Sequence, residues 1–443
     1  MPEYKKKTHH GFQKKPKKLM KKPARAEKRE QETEIPMTPA RKKKTADQPM
    51  PKTVRVVKGK KLERRRRARI FLAAVAAVIA AVIVLSVTVP VSISESVMNL
   101  LMPIGAGKYP IDLYGTQTLN AVGKDFYYYV LTDADLTAVS NAGKKIYSVA
   151  HGYANPVLKT SSTRAMVYDQ GGEGYMIYNL NDCTVSKETK DVIRAATVSR
   201  SGNYAVVSDC DSYTAAVRVY SKKNKLLFEW FSAVDMVNQV TLSASGKRLA
   251  VATVNGSAGQ LNGKVMIFDL KKTEPIFTAD FPDTPVLAME TFGSRYLGIL
   301  TEHAYTRVHW KRLTKTEHTE ENPLAMARFG SDGGVLVYRR SSDRTDNRFV
   351  LLSRSGEVKT TFKHNGMIGD ISKRYGHIYG IGENEIFVFD KNGNLLKSAD
   401  CPFGGERLAV TGSNTIALLT DSGISSVELN RADGVSKADK GVK

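Results

Sequence analysis

The side chains that could do acid–base or metal chemistry in this chain are eight histidines and two close pairs of aspartates. His9, His10, His151, His303, His309, His318, His364 and His377 are dispersed. His303 and His309 flank the strand-like run Ala304–Val308. Their even offset would put both on one strand face, where a metal is one reading and ordinary turn or surface histidines the other. Asp133-Ala134-Asp135 and Asp209-Cys210-Asp211 could offer oxygen ligands to a hard cation. Neither has EF-hand spacing, and turn-forming aspartate explains both. The motifs GxSxG, HExxH and the P-loop do not occur. Cys183, Cys210 and Cys401 form no CxxC, so either three buried thiols or one disulfide with a free thiol is expected. Asn255-Gly256-Ser257-Ala258-Gly259 lacks the strand–turn–helix setting of a cofactor loop and reads as a long flexible turn. The expectation is therefore no catalytic, cofactor-binding or metal-binding residue, and no cofactor. One polar cluster stands apart: Arg339, Arg340, Arg344 and Arg348 with Asp343 and Asp346. It reads as a solvated hairpin tip, the kind of exposed loop on which binding surfaces occur.

The strongest charge pattern lies elsewhere. Net charge is +23, and residues 1–69 hold 26 Lys/Arg against 7 Asp/Glu. The remainder of the chain is nearly neutral, so an acidic-partner argument applies to this tail alone. Lysine clusters interrupted by proline, with few apolar residues, predict a disordered basic tail over 1–69. Its last part, Lys58, Lys60, Lys61, Arg64, Arg65, Arg66, Arg67 and Arg69, precedes an uncharged run from Ile70 to Val89. About 20 helical residues span the roughly 30 Å core of a bilayer. The run is apolar on every face and is too long, and too far from the N-terminus, for a cleaved signal peptide. It predicts a signal-anchor helix over 70–94. The cations beside it predict a cytoplasmic tail and an extracytoplasmic remainder. Those basic residues are placed to meet anionic lipid headgroups. Nucleic acid is not an expected partner: only Tyr4 and Phe12 offer rings to bases in the tail.

Residues 95–110 read as a Gly/Pro connector, 111–430 as an all-β domain, and 431–443 as a disordered C-terminus. Short β-branched or aromatic runs alternate with Gly, Asn and Asp turns through the domain. A repeat underlies them. One half is strand, Ser/Gly turn, strand, as in Ala196-Thr197-Val198-Ser199-Arg200-Ser201-Gly202-Asn203-Tyr204-Ala205-Val206-Val207 and again over Val240–Val251. The other half ends a strand on an aromatic and turns through polar residues, as in Ile386-Phe387-Val388-Phe389-Asp390-Lys391-Asn392-Gly393. Units begin near Leu119, Val157, Ala195, Val240, Val286, Ala325, Ile368 and Arg407, a spacing suited to four-stranded propeller blades. The last unit runs out after three strands, and a strand near Ile111–Tyr114 could complete it. The prediction is a β-propeller of eight blades, or seven if the first and last units are halves of one.

These turns resemble the WD40-like and PQQ-like propeller repeats. The layout of basic tail, one span and outer propeller is similar to that of an uncharacterised family of bacterial single-pass membrane proteins. The chain departs from true WD40 repeats in lacking their Gly-His and Trp-Asp pairs. With only Trp230 and Trp310 it also departs from quinone-dependent enzymes, which carry a tryptophan motif in most blades. The resemblance implies a membrane-anchored, extracytoplasmic, non-catalytic binding or scaffold protein at the cell envelope. Its partner would be an envelope protein or polymer. A propeller enzyme, such as a quinone-dependent oxidoreductase, and a transmembrane signalling or anchoring protein are the alternatives.

Overall fold

The middle strands of the repeat are apolar at every position because both of their faces are covered. In Tyr127–Thr132 all six residues are buried. Tyr127, Tyr129 and Leu131 pack toward Leu158 and Val167, whereas Tyr128 and Val130 pack toward Ala409 and Leu419. Successive residues of a strand point to opposite faces, so a strand sandwiched between two sheets loses the polar alternation of a half-exposed one.

The computed structural model describes residues 101–431, except 114, 115, 163, 258, 402–404 and 422. The basic tail, its topogenic cations, the apolar run 70–94, residues 95–100 of the connector and the C-terminal segment 432–443 lie outside the described residues. Among those described, no helix is long and apolar enough to cross a membrane.

Eight antiparallel sheets follow one another, blades 1 to 8: residues 118–150, 156–188, 193–232, 236–281, 288–319, 324–365, 370–400 and 407–428. Within each blade the strands pair in chain order from the inner strand outward. The core is divided into eight clusters, and each joins two adjacent blades. One of the eight joins blade 8 to blade 1, so the ring is closed. The eight-bladed expectation holds, and the seven-bladed alternative is set aside because the first and last units are separate blades.

Closure joins the first and last strands of the ring. Blade 8 has three strands of its own, and Ile111–Asp112 supplies the fourth, pairing Ile111 with Ile424 and Asp112 with Gly423. A Cβ on Gly423 would lie 2.5 Å from the Ile111 carbonyl oxygen, so the approach requires glycine there. Asn430–Arg431 then adds a fifth strand outside blade 7, against Leu395–Asp400.

Two faces follow from this connectivity. Turns from first to second and from third to fourth strands form the lower face. Turns from second to third strands, and the links between blades, form the upper face. The Ser/Gly turns of the repeat are lower-face turns. The Ser199 hydroxyl donates to the Asn203 carbonyl and lies 2.9 Å from Ser201 Oγ, while Gly202 takes φ +87°. The chain also enters below: Lys144 Nζ, in a lower turn of blade 1, donates to the carbonyls of Met102 (3.2 Å) and Ile104 (3.0 Å).

The stretch 255–259 differs from its reading as a flexible turn. Arg248–Ser257 and Gln260–Asp269 stay paired out to Ser257 and Gln260. Blade 4 therefore projects a ten-residue-stranded hairpin from the upper face. Its Asn255 amide donates to Asp235 Oδ1 at 3.1 Å, which braces the hairpin against the preceding link.

Candidate binding surface

The upper turn of blade 6, residues 339–345, joins Gly333–Tyr338 to Asp346–Leu352. It is built by its own polar groups. Asp343 Oδ1 accepts from the Thr345 backbone N–H (2.9 Å), the Thr345 hydroxyl (2.7 Å) and the Asp346 N–H (3.3 Å). The Thr345 bonds come first among the causes that hold this carboxyl below its usual range. Asn347 is fully buried and donates to the carbonyls of Thr345 (2.9 Å) and Gly366 (2.7 Å). The Arg339 N–H donates to Pro323 O at 3.1 Å, tying the turn to the link before it.

This frame presents Arg339, Arg340 and Arg344 over a cavity of about 490 Å³. Ser341 and Glu302 complete its polar side, and Pro285, Leu287, Pro323, Leu324 and Ala325 form the apolar side. Among the described residues no carboxylate ion-pairs with any of the three arginines. Burial, then the like charge of Arg344, lowers the affinity of Arg339 for its proton. The fourth arginine of the sequence cluster is committed elsewhere. Arg348 Nε lies 2.8 Å from Glu320 Oε2, an ion pair short of hydrogen-bond alignment, and His318 Nε2 lies 2.9 Å from Glu320 Oε1.

Apolar side chains continue this face over blades 3 and 4. Tyr213 stacks on Phe231 with ring centroids 4.9 Å apart. Val234 is 80% exposed, and Met236, Leu261 and Leu287 are also exposed.

The bore holds a second charged group. Lys124 directly follows the inner strand Thr118–Gly123 of blade 1, Lys159 lies on Pro156–Thr160 of blade 2, and Glu290 lies on Ala288–Phe292 of blade 5. Protein encloses all three, although each keeps some accessible surface. Burial pulls Lys124 down to about 8 against the opposing charges of Glu290 and Asp125. It lowers Lys159 and raises Glu290, and the attraction between them works against both shifts. Lys124 Nζ donates to Thr160 Oγ1 at 2.8 Å. Also on inner strands, Arg328 of blade 6 pairs with buried Asp370 of blade 7 at 2.8 Å, and Asp370 accepts the Leu408 N–H of blade 8.

The lower end of the bore is crossed by the turn of blade 1. Arg374 of blade 7 donates to the carbonyls of Lys124 (2.5 Å) and Asp125 (2.8 Å), and Ser331 of blade 6 donates to Asp125 Oδ1 at 3.0 Å. A cavity of about 340 Å³ lies beside these residues, with Asp332, Arg354 and Lys373 on its wall.

A family profile described as a family of unknown function, DUF5711, matches residues 124–429, which is nearly the whole ring. This chain belongs to DUF5711. No curated protein matches the chain in sequence. Solved structures similar to it include BamB from Moraxella catarrhalis, at 11% identity and TM-score 0.44, covering 74% of this chain and 100% of that chain. The C-terminal WD40 domain of Sif2 is similar at 10% identity and TM-score 0.49, covering 74% of this chain and 100% of that chain. Kuenenia stuttgartiensis hydrazine synthase is similar at 10% identity and TM-score 0.40, covering 73% and 98%.

In this DUF5711 ring the other residues singled out in the sequence take structural places. His303 and His309 sit at opposite ends of the strand Ala304–His309. His309 Nδ1 accepts the N–H groups of Lys311 and Arg312, and His303 lies 3.9 Å from Glu302. Asp133 accepts the Gln117 N–H, and Asp209 holds Arg194 through two bonds of 2.6 Å. Cys183, Cys210 and Cys401 are half-buried, and no disulfide joins any two of them. The bore set was not singled out in the sequence. Its signal is one charged residue within a short inner strand that is otherwise uncharged, as at Lys159 and Glu290.

Proposed function

We propose that this chain is a membrane-anchored, extracytoplasmic β-propeller that acts as a non-catalytic binding or scaffold protein at the bacterial cell envelope. The observation that carries the binding role is the crowding onto the upper face of exposed apolar side chains and of three arginines that ion-pair with no carboxylate among the described residues. That face is opposite the lower turns against which residues 102 and 104 are held. Anchoring is supported by the uncharged run Ile70–Val89 and by the cations Lys58, Lys60, Lys61, Arg64–Arg67 and Arg69. These would hold the tail inside, against anionic headgroups.

Two measurements test this. Crosslinking the full-length protein in intact cells, followed by pull-down, should recover a discrete envelope partner. Recovery of none would count against the binding role. A Ser342→Cys substitution on the upper face should react with a membrane-impermeant maleimide in intact cells. Labelling only after lysis would overturn the outward topology.

The bore supports a second reading, an enzyme acting on the axis, because a carboxylate and two amines of the inner-strand region attract one another there. A substrate-turnover assay would then respond to Glu290→Gln in a folded protein, and an unchanged rate would remove this reading.

A further inference from the structure

We propose that the cavity beneath Arg339, Arg340 and Arg344 receives an acidic peptide segment carrying leucine-like side chains, its carboxylates on the guanidiniums and its aliphatic groups on the proline–leucine wall. This rests on the binding role proposed above and names the ligand class of that surface.

Four observations favour it. Six other arginines of the ring have carboxylate partners, Arg194, Arg218, Arg328, Arg348, Arg354 and Arg374, while those that have no such ion pair among the described residues, such as Arg200, Arg295 and Arg407, are scattered over separate blades. Arg339, Arg340 and Arg344 share a single turn and none ion-pairs with a carboxylate among the described residues; Arg339 donates to the Arg344 carbonyl and Asn347 Oδ1 at 3.5 Å, and Asp343 attracts Arg340 without pairing with it. Arg–carboxylate pairing is planar and frequently bidentate, so a partner with carboxylates fits these forks directly. The turn is also preorganised: Asp343 and Asn347 fix its backbone, so less ordering remains to be done on binding. Pro285, Leu287, Pro323 and Leu324 give the opposite wall no charge, which a ligand made of phosphate alone would leave unused. Finally, Glu302 lines the same cavity, where its carboxylate repels a continuous anionic surface but can accept an N–H from a peptide backbone. That last point favours a peptide over a lipid surface.

The test is fluorescence anisotropy of a fluorescein-labelled peptide of alternating glutamate and leucine, titrated with full-length protein in detergent micelles at fixed salt. The basic tail is present in every sample. Arg340→Gln/Arg344→Gln should weaken binding by about tenfold or more. A matched loss of charge at exposed Lys272→Gln/Arg295→Gln should change it by no more than about twofold. A peptide with serine for leucine should also bind more weakly. An unchanged unfolding midpoint in the pocket variant would assign its loss to the site. Equal weakening by both double variants would overturn the proposal, since net charge would then suffice. Displacement of the peptide by phosphatidylglycerol vesicles with the same dependence on Arg340 and Arg344 would also overturn it. Envelope partners captured equally by the pocket variant and the wild type would overturn the pocket assignment while leaving the binding role standing.

Discussion

Lys124 combines three roles at one residue. Its carbonyl ties blade 1 to blade 7, its amine bonds to blade 2, and its charge faces Glu290 of blade 5. The amine titrates near 8, below the lysine value of 10.5 that the unfolded chain keeps. Between those values the unfolded chain holds more protons than the folded one, so this group's penalty fades and stability rises with pH. Wild type minus Lys124→Met should therefore gain roughly 1–2 kcal/mol between pH 8 and 9.5, measured by denaturant unfolding. A difference independent of pH would show that the amine is not held in this way. The subtraction removes the buried tyrosines, several of which titrate well above 10 in the fold and pull the other way at higher pH. Little of this was legible beforehand. Nothing in the sequence singles out Lys124, and only the closed ring brings it near residues of blades 2, 5 and 7.

The Ser/Gly turn shows what a repeat element can reveal. Its sequence form, Ser-x-Ser-Gly, was plain at 199–202 and 243–246, and the hydroxyl and left-handed glycine explain why those residue types recur. What the pattern hid is that successive turns interlock. Ser201 N–H donates to Ala244 O, and the Asn203 amide donates to Gly246 O. A Cβ on Gly246 would meet Ser201 Oγ at 2.4 Å, at φ +64°. Gly246→Ala should cost about 1–3 kcal/mol, read from the denaturant midpoint, whereas Gly376→Ala, with nothing within 4 Å of its Cβ, should cost only the backbone strain. Equal losses would mean that the interlock adds nothing. The same Gly/Ser signal misled at 255–259, where cross-strand pairing on blade 4 overrides local turn propensity. Inner-strand starts were also missed by up to four residues, as at Val240 against Met236, because bulges such as that between Val237 and Gln239 disturb the alternation.

At the scale of the whole molecule the architecture was readable because it is repetitive. Strands apolar on both faces can be stable only between two neighbours, and eight such units must close or leave an apolar sheet face exposed. The closing strand was legible from the short last unit together with Ile111. The cavity of blade 6 was half legible: its arginines stood out, but that three lack a carboxylate partner while Arg348 has Glu320 depends on packing across 28 residues of chain. Gly423→Ala should loosen the closing pair and lower the unfolding midpoint, with faster amide exchange in blade 8 than in blade 4. Uniform exchange in all blades would show that the ring does not depend on this junction.

That junction also decides how the ring answers a pull. Tension applied to the chain upstream of residue 101 cannot enter at the middle of a blade. It meets the two Lys144 bonds to the Met102 and Ile104 carbonyls, then the Tyr109–Tyr128 hydroxyl contact of 3.1 Å, and then the two-residue strand Ile111–Asp112. Lys144 works there as a strain relief, like the clamp on a cable. Once it yields, the load falls on the one seam whose failure turns a closed ring into an open row of blades.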